Sequence, residues 1–166
     1  MPYTDRFIPT DSLIPHLTGV TSGILDPRLK ANYAGFLSVS AVTVYELAIK
    51  DIFEEFAQKK HNIFGYYIQT HFEKINGRIK IDSLRNDHIK GFGPRYVAKF
   101  NRELDRRENS LFSAHRISIK NCYGNLIVCR HEYVHQGNPT LTFSEVVTNY
   151  NYGKEIIHSL EIAMRR

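Results

Sequence analysis

The stretch that decides the fold is "DPRLKANYAGFLSVSAVTVYELAIKDIFEEFAQKK", Asp26–Lys60. Asp26 is placed to cap a helix, and Pro27 sits at the first helical position, where its missing N–H costs nothing. Ala41, Val42, Tyr45, Ala48, Ile49, Ile52, Phe53 and Phe56 then recur at the 3.6-residue period of one helical face. Leu37, Val44 and Leu47 widen that stripe. A helix so long and so broadly apolar belongs at the centre of a helical bundle.

The same test, applied outward, finds more helices and almost no strand signal. A second helix is expected over Ile63–Ile75, closed by Asn76-Gly77. Residues 78–112 read as two shorter helices broken at "GFGP". A further helix runs from about Ser118 to His135 and stops at Gly137-Asn138-Pro139. The last begins after an N-cap at Thr142 or Ser144, with Glu145 in its first turn. Val146, Tyr150, Ile157, Leu160 and Met164 form its buried side. The expected fold class is all-α, an antiparallel helical bundle with an inserted basic helical segment at about 78–112. Residues 1–26, with prolines at 2, 9 and 15, read as an N-terminal arm carrying one short helix near Asp11–Leu17. Residues 27–166 read as a single domain.

Composition narrows the function classes. At 166 residues the chain is long enough for one real core. No apolar run approaches the roughly 20 residues that a membrane span needs. The N-terminus lacks the basic and apolar regions of a secretory signal, so a cytoplasmic protein is expected. Cys122 and Cys129 stand two turns apart on one helix, about 10 Å, too far for a disulfide. They read as reduced thiols without zinc-finger spacing. The net charge of +5 is uneven: Lys74–Lys120 holds 12 Lys/Arg against 5 Asp/Glu. Such a stretch, interleaved with Phe92, Tyr96 and Phe100, suits a polyanion such as RNA, although charge runs are often only solvated helix faces.

The chemistry concentrates in "IVCRHEYVHQG", Ile127–Gly137. From His131 it reads H-E-x-x-H, which puts His131 and His135 on one helical face as zinc ligands, with Glu155 as a possible third. Against zinc stand the cation Arg130 beside the first ligand, the helix stop directly after the second, and the absence of an edge strand for substrate. Arg130 lies on the stripe Tyr123, Leu126, Ile127, Arg130, Val134. A guanidinium there needs a carboxylate, an interface or an anionic ligand. If no helix covered the stripe, Tyr123, Leu126 and Ile127 would be open with it, and a symmetric dimer would close it. His135 lies about 140° around the helix from Arg130.

The helices "GFLSVSAVTVYELAIKDIFEEFA", "NLIVCRHEYVHQG" and "TFSEVVTNYNYGKEIIHSLE" together resemble a HEPN domain (higher eukaryotes and prokaryotes nucleotide-binding), over roughly residues 27–165. The branch most similar is that of stand-alone bacterial RiboL-PSP-HEPN proteins. The HEPN signature, R-x4-6-H near a helix end, matches Arg130 and His135. The resemblance implies a metal-independent endoribonuclease without cofactor, often a toxin or anti-phage effector. It also implies a homodimer with a composite active site. By that analogy Arg130 holds the scissile phosphate, His135 is the general acid or base, His131 supports, and Glu46 is the acidic residue that pairs with the arginine. RNA is the implied partner, with an antitoxin or regulatory protein possible. The alternatives are a non-catalytic RNA-binding or complex-forming HEPN module and, behind it, the H-E-x-x-H zinc hydrolase. One position departs from the pattern: some HEPN toxins carry a modified Tyr two residues beyond the His, where this chain has Gly137.

Overall fold

The computed structural model describes residues 2–73 and 77–165, and among them it is all-α with no strand. A 3₁₀ turn, Tyr3–Phe7, leads into α1 (Ile8–Ser22). Then come α2 (Pro27–Gln58), α3 (Asn62–Phe72) and the single turn α4 (Ile81–Ser83). A π turn (Leu84–His88) and a 3₁₀ turn (Ile89–Phe92) connect α4 to α5 (Pro94–His115). α6 (Ile119–Gln136) and α7 (Phe143–Met164) complete the chain.

α2 is the axis. The Asp26 side chain accepts the Arg28 N–H at 2.8 Å, and Pro27 opens the helix. Every residue of its expected stripe is buried, and only the flanking Leu47 is left half-buried. α1, α3, α6 and α7 all pack on it, and α5 packs on α6 and α7. α7 starts at Thr142, not Ser144. The Thr142 N–H donates to Glu145 Oε2 at 2.8 Å while Thr142 Oγ1 accepts the Glu145 N–H, a reciprocal capping box.

Three tyrosines, one from each central helix, stack in the middle of the bundle. The Tyr45 ring lies 5.5 Å from Tyr123 and 5.7 Å from Tyr150, both nearly parallel. Each buried hydroxyl has an acceptor. Tyr45 donates to the Tyr150 carbonyl, Tyr123 to the Ile79 carbonyl at 2.7 Å, and Tyr150 to Asp11 Oδ1 at 2.9 Å. Leaving one of them unpaired would cost about 1–3 kcal/mol. Gly153 makes room for the stack: a Cβ there would stand 2.7 Å from the Tyr45 hydroxyl oxygen.

Two segments differ from their expected form, and the end of a third falls outside the described residues. Residues 1–26 do not form an arm with one short helix. They form the 3₁₀ turn and 15-residue α1, with Phe7 and Leu17 in the core. Arg6 donates twice to Asp51 on α2, at 2.6 and 2.9 Å, and Lys154 on α7 reaches Asp11 at 2.5 Å. The prolines mislead because Pro9 falls in the first turn of α1, where no hydrogen bond is lost, and Pro15 is tolerated inside it. In 78–112 the break does fall at "GFGP", with Gly93 at φ 113°, but α5 continues to His115 and closes with Arg116 in the left-handed conformation. α3 ends at Phe72; the expected end at Ile75–Asn76 lies outside the described residues.

Two imidazoles, His88 buried and His158 half-buried, hold turns in place. His88 Nε2 lies 2.8 Å from the Arg78 carbonyl, and His158 Nδ1 lies 2.8 Å from the Tyr3 hydroxyl. Because a carbonyl only accepts, His88 Nε2 must carry the proton. Burial pushes both imidazoles below the ordinary value of 6.5. The unfolded chain therefore takes up protons first, so their contribution is complete above about pH 6.5 and is lost as pH falls toward the lower folded values. Urea unfolding should give a lower stability at pH 5.5 than at pH 7.5. His88→Gln, which can still donate to Arg78, should flatten that dependence; an unchanged slope would remove His88 from the account.

Candidate active site

α6 carries the motif. Ser118 caps its start by accepting the Asn121 N–H, and Gly137 ends it at φ 74°, with its N–H on the Tyr133 carbonyl at 2.9 Å. Tyr123, Leu126 and Ile127 are buried within the single chain. They therefore need no second subunit to cover them: the chain's own helices cover that part of the stripe. The stripe opens one turn later: Arg130 is half-buried and Val134 is 50% exposed. Between them Tyr133 packs against Gly35 of α2, where a Cβ would stand 2.1 Å from the nearest atom of its ring.

Arg130 and His131 line one surface pocket of ≈ 390 Å³, with buried Val42 and Ile127 as apolar wall. Arg78, Lys80 and Glu132 complete its polar lining. Three permanent cations thus meet one carboxylate. Among the described residues Arg130 makes no ion pair. Glu46 does not pair with it: Glu46 Oε1 accepts the Gly77 N–H at 2.9 Å instead, so its role is to hold the backbone at the pocket edge. His135 is exposed and does not line the pocket, but its ring centre lies 4.4 Å from that of His131. The order in space is therefore Arg130, His131, His135.

The zinc arrangement is not assembled. Glu155, the third ligand it would need, is paired with Arg107 of α5. Among the described residues no group of three or more His, Cys, Asp or Glu could hold a metal ion. Cys122 and Cys129 are both free and buried in the core, away from any such role.

The sequence profile of the RiboL-PSP-HEPN family matches residues 7–165. This chain belongs to the RiboL-PSP-HEPN family. The match takes in α1, so the N-terminal helix is part of the HEPN domain and not an appendage to it. No curated protein and no solved structure matches the chain. No helix among the described residues is long and apolar enough to cross a membrane.

Within this HEPN fold, a guanidinium without a carboxylate is a ready ligand for a phosphate, which it can hold through two parallel N–H bonds. Imidazole is the side chain that takes up and releases a proton near neutral pH. Gly137 also acquires a reason. Its left-handed conformation favours glycine, so the tyrosine found there in some HEPN toxins would be strained at this helix end. Arg78 and Lys80 are the pocket residues that motif reasoning missed. Their signal in the sequence is the alternation Arg78-Ile79-Lys80, which hides one apolar side chain between two cations.

Gly35→Ala should force α2 and α6 apart, since the new Cβ would overlap the Tyr133 ring. A loss of about 1–3 kcal/mol in urea unfolding is expected. A change within about 0.5 kcal/mol, the range of neutral surface substitutions, would show that the two helices do not meet there.

Proposed function

We propose that this protein is a metal-independent endoribonuclease of the HEPN type, acting as a toxin or anti-phage effector. The observation that carries the reading is the placement of Arg130: half-buried, without an ion pair among the described residues, in a pocket shared with His131, Arg78 and Lys80. In the reaction, the RNA 2′-oxygen attacks the adjacent phosphorus and the bond to the 5′-oxygen breaks. One imidazole removes the 2′-hydroxyl proton and another group protonates the leaving 5′-oxygen. Arg130 binds the phosphate and stabilises the charge that grows on it. His135 is the acid or base, and His131, in ring contact with it, positions it.

Within one chain His135 stands outside the Arg130 pocket, which supports a composite site in which a second copy brings its His135 to the first copy's phosphate. That is the reason for proposing a homodimer; the covered Tyr123–Ile127 stripe is not. The same separation also favours the second reading, a non-catalytic RNA-binding or complex-forming module, should the protein remain a monomer.

Purified protein incubated with RNA in EDTA should release fragments ending in 2′,3′-cyclic phosphate. His135→Ala should slow this by about 10²–10⁴, and Arg130→Ala by about 10²–10³. Full activity in His135→Ala would sink the site, and loss of activity on adding EDTA would sink the class. Growth arrest on expression of the parent, but not of Arg130→Ala, is expected of a toxin.

Light scattering at micromolar concentration should find a dimer. A monomer at all concentrations, with or without RNA, would remove the composite site and favour the binding module.

A further inference from the structure

We propose that Gly77–Lys80 is a built phosphate-binding strap, in which Arg78 and Lys80 hold the RNA backbone beside the phosphate at Arg130. The inference rests on the reading of the Arg130 pocket as an RNA site and adds a second set of contacts to it.

Connecting segments usually leave their backbone groups to water. This one does not. The Gly77 N–H donates to Glu46 of α2 at 2.9 Å. The Arg78 carbonyl accepts from His88 at 2.8 Å, and the Ile79 carbonyl accepts from Tyr123 of α6 at 2.7 Å. Three consecutive residues are thus tied to three separate elements. Ile79 is fully buried, and Arg78 and Lys80 on either side of it are exposed. Their backbone is fixed while their charged ends stay at the surface. That is the arrangement a binding element needs, because little backbone entropy remains to be lost on binding.

The charge of the strap is also unspent on structure. Several other cations of the basic stretch are paired within the chain: Arg85 with Asp82, Arg106 and Arg107 with Glu103, Arg107 also with Glu155, and Lys120 with Asp105; Lys90, Arg95, Arg102 and Arg116 are not in these pairs, but none of them lines the Arg130 pocket. Among the described residues Arg78 and Lys80 have no ion pair, yet both line the pocket that holds Arg130. Unpaired like charges that converge on one pocket repel each other, and a polyanion relieves that repulsion. The ≈ 390 Å³ of the pocket falls within the range of small-ligand sites, enough for more than a single phosphate. An RNA strand carries a phosphate on either side of the one being cleaved, and the strap stands where one neighbour would lie.

The test uses a labelled 2′-O-methyl RNA oligonucleotide, which lacks the attacking hydroxyl, so binding is read without cleavage. Anisotropy titrations from about 50 to 200 mM salt give the slope of log affinity against log salt. For Arg78→Ala/Lys80→Ala the slope should become shallower by about 1.4, roughly 0.7 for each lost phosphate contact on a single strand. Arg78→Lys/Lys80→Arg should keep the parent slope. With cleavable RNA the Ala variant should raise KM and leave kcat near the parent value, as expected when only shared ground-state binding is lost. Both side chains are exposed, so the thermal melt should not move; should it move, Arg78→Gln and Lys80→Gln singly carry the same reading, at about 0.7 each. An Ala variant with the parent's affinity and slope overturns the strap, whatever the protein cleaves. A parent that binds but never cleaves overturns the nuclease and leaves the strap standing if the slope shifts. A parent that fails to bind at low salt overturns both, and displacement of the RNA by polyglutamate as readily as by RNA would assign the strap to an acidic peptide instead.

Discussion

Three stacked tyrosines hold this fold together and also shape its site. Tyr45, Tyr123 and Tyr150 come from three different helices, and burying them requires that each hydroxyl find an acceptor. Those acceptors are the constraint on everything around them. Tyr150 can reach Asp11 only if α1 docks, which is why the N-terminal segment is structural. Tyr45 reaches the Tyr150 carbonyl only because Gly153 leaves the gap. Tyr123 reaches the Ile79 carbonyl only if residues 77–80 lie against α6 at that height. The last of these carries core packing into function, since the linker so placed presents Arg78 and Lys80 to the Arg130 pocket.

Arg130 marks the point where α6 leaves the core. Before it Tyr123, Leu126 and Ile127 are covered within the bundle; after it His131, Val134 and His135 are exposed, while Tyr133 still packs on α2. A guanidinium placed a turn earlier would be fully buried and would need a carboxylate there. Placed a turn later it would be solvated and screened. At the boundary it keeps an apolar wall of Val42 and Ile127 on one side and open space on the other. A lowered local dielectric on one side strengthens its attraction for an anion.

The basic stretch divides along the same line. Arg106 and Arg107 of α5 are engaged with Glu103 of the same helix, and Arg107 also fastens it to α7 through Glu155. Those pairs reduce the charge left for a partner, while Arg95 and Arg102 on the same helix make no ion pair among the described residues. The cations that line the Arg130 pocket are few, and they come from two distant parts of the chain, residues 77–80 and the last turns of α6.

The helices were legible in the sequence because their signals are local. The stripe on α2, the Asp26-Pro27 start, the capping box at Thr142 and the glycine stop at Gly137 are all set by residues within a turn or two of one another. The R-x4-H spacing of Arg130 and His135, and with it the HEPN family, was legible for the same reason. What only the tertiary structure decided is which groups meet. Docking of α1 depends on partners about 45 and 140 residues away, Asp51, Tyr150 and Lys154, so its prolines looked like breaks. Glu46 accepts the Gly77 N–H and does not pair with Arg130, because Tyr123 holds Ile79 against α6 and so keeps Gly77 beside α2. Arg78 and Lys80 join Arg130 across some fifty residues of sequence for the same cause. Periodicity reports which side of a helix is buried, but a hydrogen bond between distant elements leaves no period, and only the packed chain shows where it closes.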